Sequence, residues 1–133
     1  MEKAKLKRQM EDSWNEAVGY LEKAAAALTQ IKTKPAWVSN ECRRRATEIK
    51  FVADRFKRAT LGLSEERGAY AYGFEESIRI LSSAIGMVAS GVQAKDRHAL
   101  QLADQAKNHA QTLATAAIRS LMTEDQPVIR EMA

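Results

Sequence analysis

The sequence predicts an all-α protein, an up-down-up-down antiparallel four-helix bundle. Apolar residues recur at spacings of three and four in four long segments, as they do on one face of a helix. Only two prolines and six glycines occur in 133 residues, which favours helix over strand. The breaks between segments are short, and short connections join antiparallel neighbours. The alternative is an extended helical hairpin that swaps or dimerises to complete its core.

The first two predicted helices meet at a proline. The first covers residues 3–32 and ends before Pro35, because the residue before a proline is pushed out of the helical region. Pro35 suits the first turn of the second helix, and Ser39 or Asn40 is an alternative cap for a later start. This helix extends to about Thr60. The inner line of the first helix is Met10, Trp14, Ala17, Leu21, Ala24, Leu28 and Ile31. That of the second is Cys42, Ile49, Val52, Phe56 and Leu63.

Side-chain caps define the starts of the last two helices. Ser64 is the predicted cap of the third and Asp96 that of the fourth, with a break expected at Ser90-Gly91. The inner line of the third helix is Ala71, Phe74, Ile78, Leu81, Ile85 and Val88. That of the fourth is Ala99, Leu102, Ala106, Ala110, Leu113, Ala117 and Leu121. The bundle domain would then span residues 1–123, with residues 124–133 as a loosely held tail.

The amino-acid composition indicates a globular protein of a reducing compartment. Hydrophobic content of 45% and charged content of 29% are typical of a globular domain. Cys42 is the only cysteine, so no intrachain disulfide can form and a reducing compartment is indicated. The charged N-terminal segment lacks the apolar stretch of a secretory signal, and no run reaches the roughly 18 apolar residues of a membrane span. We therefore expect a cytoplasmic protein that does not enter membranes.

The excess positive charge lies in the second predicted helix. Residues 34–58 contain eight basic and three acidic residues, a net charge of +5. The rest of the chain has thirteen basic and fourteen acidic residues, a net charge of −1. A localised positive field attracts phosphate or another polyanion far better than scattered charge does.

A helical rotation of about 100° per residue places this charge on the side opposite the inner line. Phe51 falls in the middle of the cations, where no core contact is expected. Guanidinium groups hold phosphates and an exposed ring stacks on a base. The candidate nucleic-acid-binding residues are therefore Arg43, Arg44, Lys50, Phe51, Arg55, Lys57 and Arg58.

These residues predict a non-enzymatic subunit that binds a nucleic-acid backbone, RNA or single-stranded DNA, without sequence specificity. It would act within a larger nucleoprotein complex. In size and helical character the chain is similar to the small all-helical subunits of CRISPR effector complexes, an analogy of fold that no motif carries. One alternative is a protein–protein adaptor or inhibitor that docks the same patch on an acidic partner. Another is a basic face that is merely solvated.

Catalytic and metal-binding patterns are not expected. His98 and His109 are eleven residues apart and cannot share a metal ion, and Glu75 and Glu76 point in different directions as neighbours on a helix. Cys42 falls on the inner line, where a thiol packs as a small apolar group. We therefore predict no enzyme activity, no cofactor and no metal.

The remaining aromatic residues are mostly assigned to packing. Trp14 is expected in the core, and Trp37 in the core or as a staple at the start of the second helix. One of Tyr70 and Tyr72 is expected to face outward.

Overall fold

Four α-helices make up the computed structural model, which describes residues 2–123. They are α1 (Glu2–Leu28), α2 (Pro35–Ala59), α3 (Glu65–Ala94) and α4 (Arg97–Met122). Consecutive helices pack on each other, and α1 also touches α3 and α4. This is the predicted up-down-up-down antiparallel bundle. The expected tail, residues 124–133, lies outside the described residues.

The helix starts agree with the predicted signals. Pro35 is the first residue of α2, where its missing N–H costs nothing. The Ser64 hydroxyl accepts a hydrogen bond from the Arg67 N–H at 3.4 Å. The Asp96 carboxylate accepts one from the His98 N–H at 2.9 Å. Both predicted caps are confirmed.

The predicted break at Ser90-Gly91 is wrong, because α3 continues to Ala94. Gly91 marks a close approach of two helices instead. A Cβ atom at this position would lie 3.2 Å from the Cβ of Ala99 and 3.3 Å from the carbonyl oxygen of Asp96. The reversal comes four residues later at Lys95, whose φ of 57° is left-handed and closes the helix.

The core lies between the inner faces of all four helices, and its aromatic residues come from α1, α2 and α3. The ring centroids of Phe56 and Phe74 are 5.0 Å apart, and Trp14 meets Phe74 edge-on at 6.4 Å. On α4 the predicted inner position of Leu102 is wrong, since 42% of it is exposed. That helix instead turns its small residues inward, because alanines admit the close approach of α3. Its buried residues are Ala103, Ala110, Ala114 and Leu121.

The bundle is not evenly closed. The first helix packs along α2 and touches α3 and α4 only lightly. An apolar cavity of about 300 Å³ lies between α1, α3 and α4, and its lining includes Leu21, Leu28, Ile85 and Leu100. In the described part of the chain, α2 and α4 do not pack on each other. The outer side of α2 therefore faces away from the cavity and is left open.

Candidate nucleic-acid interface

Phe51 lies on the outer side of α2, with 59% of its surface exposed. Its neighbours Val52 and Ala53 are buried, because they lie on the inward side of the same turn. The prediction that this ring points to solvent is confirmed. An exposed ring has a free π-face, which is what base stacking needs.

The predicted cations are all at the surface. Arg43, Arg44, Lys50, Arg55, Lys57 and Arg58 are exposed. Among residues 2–123, no carboxylate pairs with Lys50, Lys57 or Arg58. Arg43 donates a hydrogen bond to the side-chain oxygen of Gln93 at 2.5 Å. Because Gln93 is neutral, the charge of Arg43 stays uncompensated.

The carboxylates of α2 bind arginines on the two flanks of its outer side. Asp54 accepts a hydrogen bond from Arg79 of α3 at 2.9 Å. Glu48 accepts one from Arg45 at 2.6 Å. Arg44 approaches Glu41 and Glu48 only at 3.8 Å, and a pair as exposed as this contributes little. Asp54 and Glu48 are therefore engaged by Arg79 and Arg45, and not by Lys50, Lys57 or Arg58.

Arg79 shows how tightly one of these flanks is built. Besides Asp54, it binds Glu75 through a hydrogen bond of 2.7 Å. The hydrogen bond to Glu75 is the main reason that the pKa of Arg79 lies above its usual value. Glu75 is itself buried. Arg79, which Glu75 holds in place, thus binds the carboxylate of Asp54. Asp54 lies on α2, the helix that carries the candidate site.

Arg55 differs from the other candidate residues. Its two terminal nitrogens bind the Glu16 carboxylate of α1 at 3.1 and 2.9 Å. These hydrogen bonds raise the pKa of the Arg55 guanidinium above its usual value. Its charge is compensated inside the molecule, so Arg55 and Glu16 mark the edge of the positive surface on the α1 side. Helical periodicity does not predict this pair, because its members are 39 residues apart in the chain.

The predicted position of Trp37 is wrong. It was expected in the core or as a staple, but 44% of it is exposed. The next two residues, Val38 and Ser39, take the inward positions, and the Ser39 hydroxyl donates to the carbonyl oxygen of Ala89 at 2.8 Å. The ammonium of Lys34 lies 6.0 Å from the ring centroid of Trp37. Extending the helical rotation back to the first turn of α2 would have found this ring.

Other residues singled out in the sequence have structural surroundings. Cys42 is fully buried, and this burial raises the pKa of its thiol, which disfavours the reactive thiolate. Tyr72 is exposed and Tyr70 is half-buried, as predicted for that pair. His98 and His109 are both exposed. Within residues 2–123, no three His, Cys, Asp or Glu side chains are grouped for a metal ion.

Searches against protein-family models, curated proteins and solved structures found no match for this chain. None of the described helices is both long enough and apolar enough to cross a membrane.

Proposed function

We propose that the protein is a non-enzymatic subunit that binds single-stranded nucleic acid, without sequence specificity, through the outer side of α2. It would act as part of a larger nucleoprotein complex. The observation that carries the proposal is Phe51, an exposed ring between Arg44 and Arg58, two exposed guanidinium groups. Guanidinium groups bind phosphates while the ring stacks on a base, and neither contact depends on base identity.

The distribution of charge supports a strand as the ligand. Five exposed cations lie along the helix, namely Arg43, Arg44, Lys50, Lys57 and Arg58. Among residues 2–123, only Arg44 of these five approaches carboxylates, those of Glu41 and Glu48 at 3.8 Å. From the first to the last of them the helix advances by about 22 Å. A row of cations of this length follows a polyanionic backbone better than it fits a single anionic group. Arg55 contributes less, because Glu16 already binds it.

Binding of a fluorescently labelled oligothymidylate and oligouridylate, followed by anisotropy, tests the proposal. We expect saturable binding of both at about 100 mM salt. Each neutralised phosphate of a single strand contributes about −0.7 to the slope of log K against log salt. Five cations therefore set a limit of about −3.5. If the protein binds neither oligonucleotide, the proposal is overturned and an acidic protein partner is favoured.

A double charge reversal locates the binding surface. Arg44→Glu with Arg58→Glu is expected to abolish binding and to leave the helical circular dichroism unchanged, because both side chains are exposed. The matched control is Arg97→Glu with Arg119→Glu, which changes the net charge equally on α4, a helix that does not pack on α2. We expect the control to retain most of its affinity. Equal loss in both double variants would mean that net charge, and not this surface, governs binding.

A further inference from the structure

Trp37 and Phe51 lie on one line along α2. The residues Trp37, Arg44, Phe51 and Arg58 follow one another at intervals of seven. Seven residues turn a helix by about 700°, which is about 20° short of two full turns. All four side chains are exposed. The outer side of α2 therefore carries a row in which an aromatic ring and a guanidinium alternate, turning by about 60° around the helix from Trp37 to Arg58. We call it the α2 row.

The dimensions of the α2 row are those of a short strand. Each interval of seven residues advances the helix by about 10.5 Å, so the two rings are about 21 Å apart along the axis. A stacked strand advances by about 3.4 Å per nucleotide, so about six steps, or seven nucleotides, reach from one ring to the other. An extended strand covers the distance with fewer. A ligand of two nucleotides is too short in either conformation.

Charge along the α2 row is consistent with phosphates between stacked bases. Arg44 lies between the two rings, and Lys34 lies beside Trp37 at the start of the helix, with its ammonium over the ring. Glu41 and Glu48, the carboxylates near Arg44, are both bound by Arg45, and Asp54 is bound by Arg79. A strand on the α2 row therefore meets cations at its phosphates without a free carboxylate of α2 beside them.

We propose that Trp37 is a second stacking platform, so that one strand of about seven stacked nucleotides places a base on Trp37 and another on Phe51. The proposal rests on the proposed function and adds to it a second contact and a minimum ligand length. A short ligand engages one ring, whereas a longer one engages both. The gain in affinity with length comes from this second stack, in addition to the charge.

Trp37 also supplies its own signal for the test. The chain has two tryptophans, and Trp14 packs against Phe74 in the bundle. In a Trp14→Phe variant, the emission comes from Trp37 alone. We expect an oligothymidylate of about twelve nucleotides to quench it on binding, since a stacked base contacts the indole. The matched Trp37→Phe variant, which emits from Trp14, is expected to show no quenching.

Affinity gives a second readout that needs no change at Trp14. Trp37→Ala is expected to weaken binding of the same oligonucleotide about tenfold, measured by anisotropy. It is expected to change binding of a dinucleotide by no more than about twofold. Because Trp37 is exposed, the melting temperature should stay within a few degrees of the parent.

The outcomes separate the two proposals. If the long oligonucleotide binds, but Trp37 emission is unchanged and Trp37→Ala binds equally well, the second platform is wrong and the proposed function stands. If no oligonucleotide binds at any length, both are wrong. If polyglutamate quenches Trp37 as strongly as the oligonucleotide does, the α2 row is a surface for an acidic protein and the nucleic-acid assignment is overturned.

Discussion

Two phenylalanines of α2 have opposite roles. Phe51 is 59% exposed, whereas Phe56 is 2% exposed with its ring centroid 5.0 Å from that of Phe74. Five residues along a helix turn the side chain by about 140°, enough to move it from water to the core. The outward position of Phe51 was predictable from this period alone. The contact of Arg55 with Glu16 was not, because it depends on how α1 lies against α2.

Alanine substitution should separate these roles. Phe51→Ala is expected to reduce oligonucleotide affinity by about 1–3 kcal/mol and to change the free energy of unfolding by less than about 0.5 kcal/mol. The control Phe56→Ala is expected to cost about 3–5 kcal/mol of stability. Anisotropy and urea unfolding measure the two quantities. A large loss of stability in Phe51→Ala would show that its ring belongs to the core.

Two glycines of α3 differ in the space around them. An added Cβ would meet nothing within 4 Å at Gly86, but would press on Ala99 and on the Asp96 carbonyl oxygen at Gly91. Periodicity and capping residues predicted where α3 begins. They did not predict where it ends, because the need for Gly91 arises from the approach of α4. A local sequence signal cannot distinguish a glycine that breaks a helix from one that admits a neighbour.

Replacing each glycine by alanine tests this difference. Gly86→Ala is expected to stabilise the protein by about 0.5–1 kcal/mol, because alanine loses less backbone entropy in a helix. Gly91→Ala is expected to destabilise it, since the Cβ would lie 3.3 Å from a backbone oxygen of the tight α3–α4 turn. Chemical denaturation of both variants measures whether each substitution raises or lowers the free energy of unfolding. Stabilisation by Gly91→Ala would mean that the turn yields easily.

The four helices differ in how extensively they pack against their neighbours. The third helix packs along both α2 and α4, whereas α1 packs mainly along α2 and borders the apolar cavity next to α4. The number and order of helices followed from the repeated spacing of apolar residues. The opening between α1 and α4 was not predictable, because it depends on the angles at which the helices pack and not on the identity of any one face.

Hydrogen exchange should reveal this inequality. Segments with fewer packing partners open locally at lower free energy than the core does. We expect backbone amides in the middle of α1 to exchange faster than those in the middle of α3, with α2 as an internal reference. Mass spectrometry of peptides from each helix measures this. Equal protection of α1 and α3 would show that the bundle opens only as one cooperative unit.

The engagement of Asp54 by Arg79 and of Glu48 by Arg45 has a kinetic consequence. With these carboxylates held at the flanks, an approaching polyanion meets an attractive field on α2 before any ring touches a base. Such steering speeds diffusional encounter and weakens as salt is added. The rate of association should therefore follow ionic strength, while the lifetime of the complex should depend on the aromatic rings.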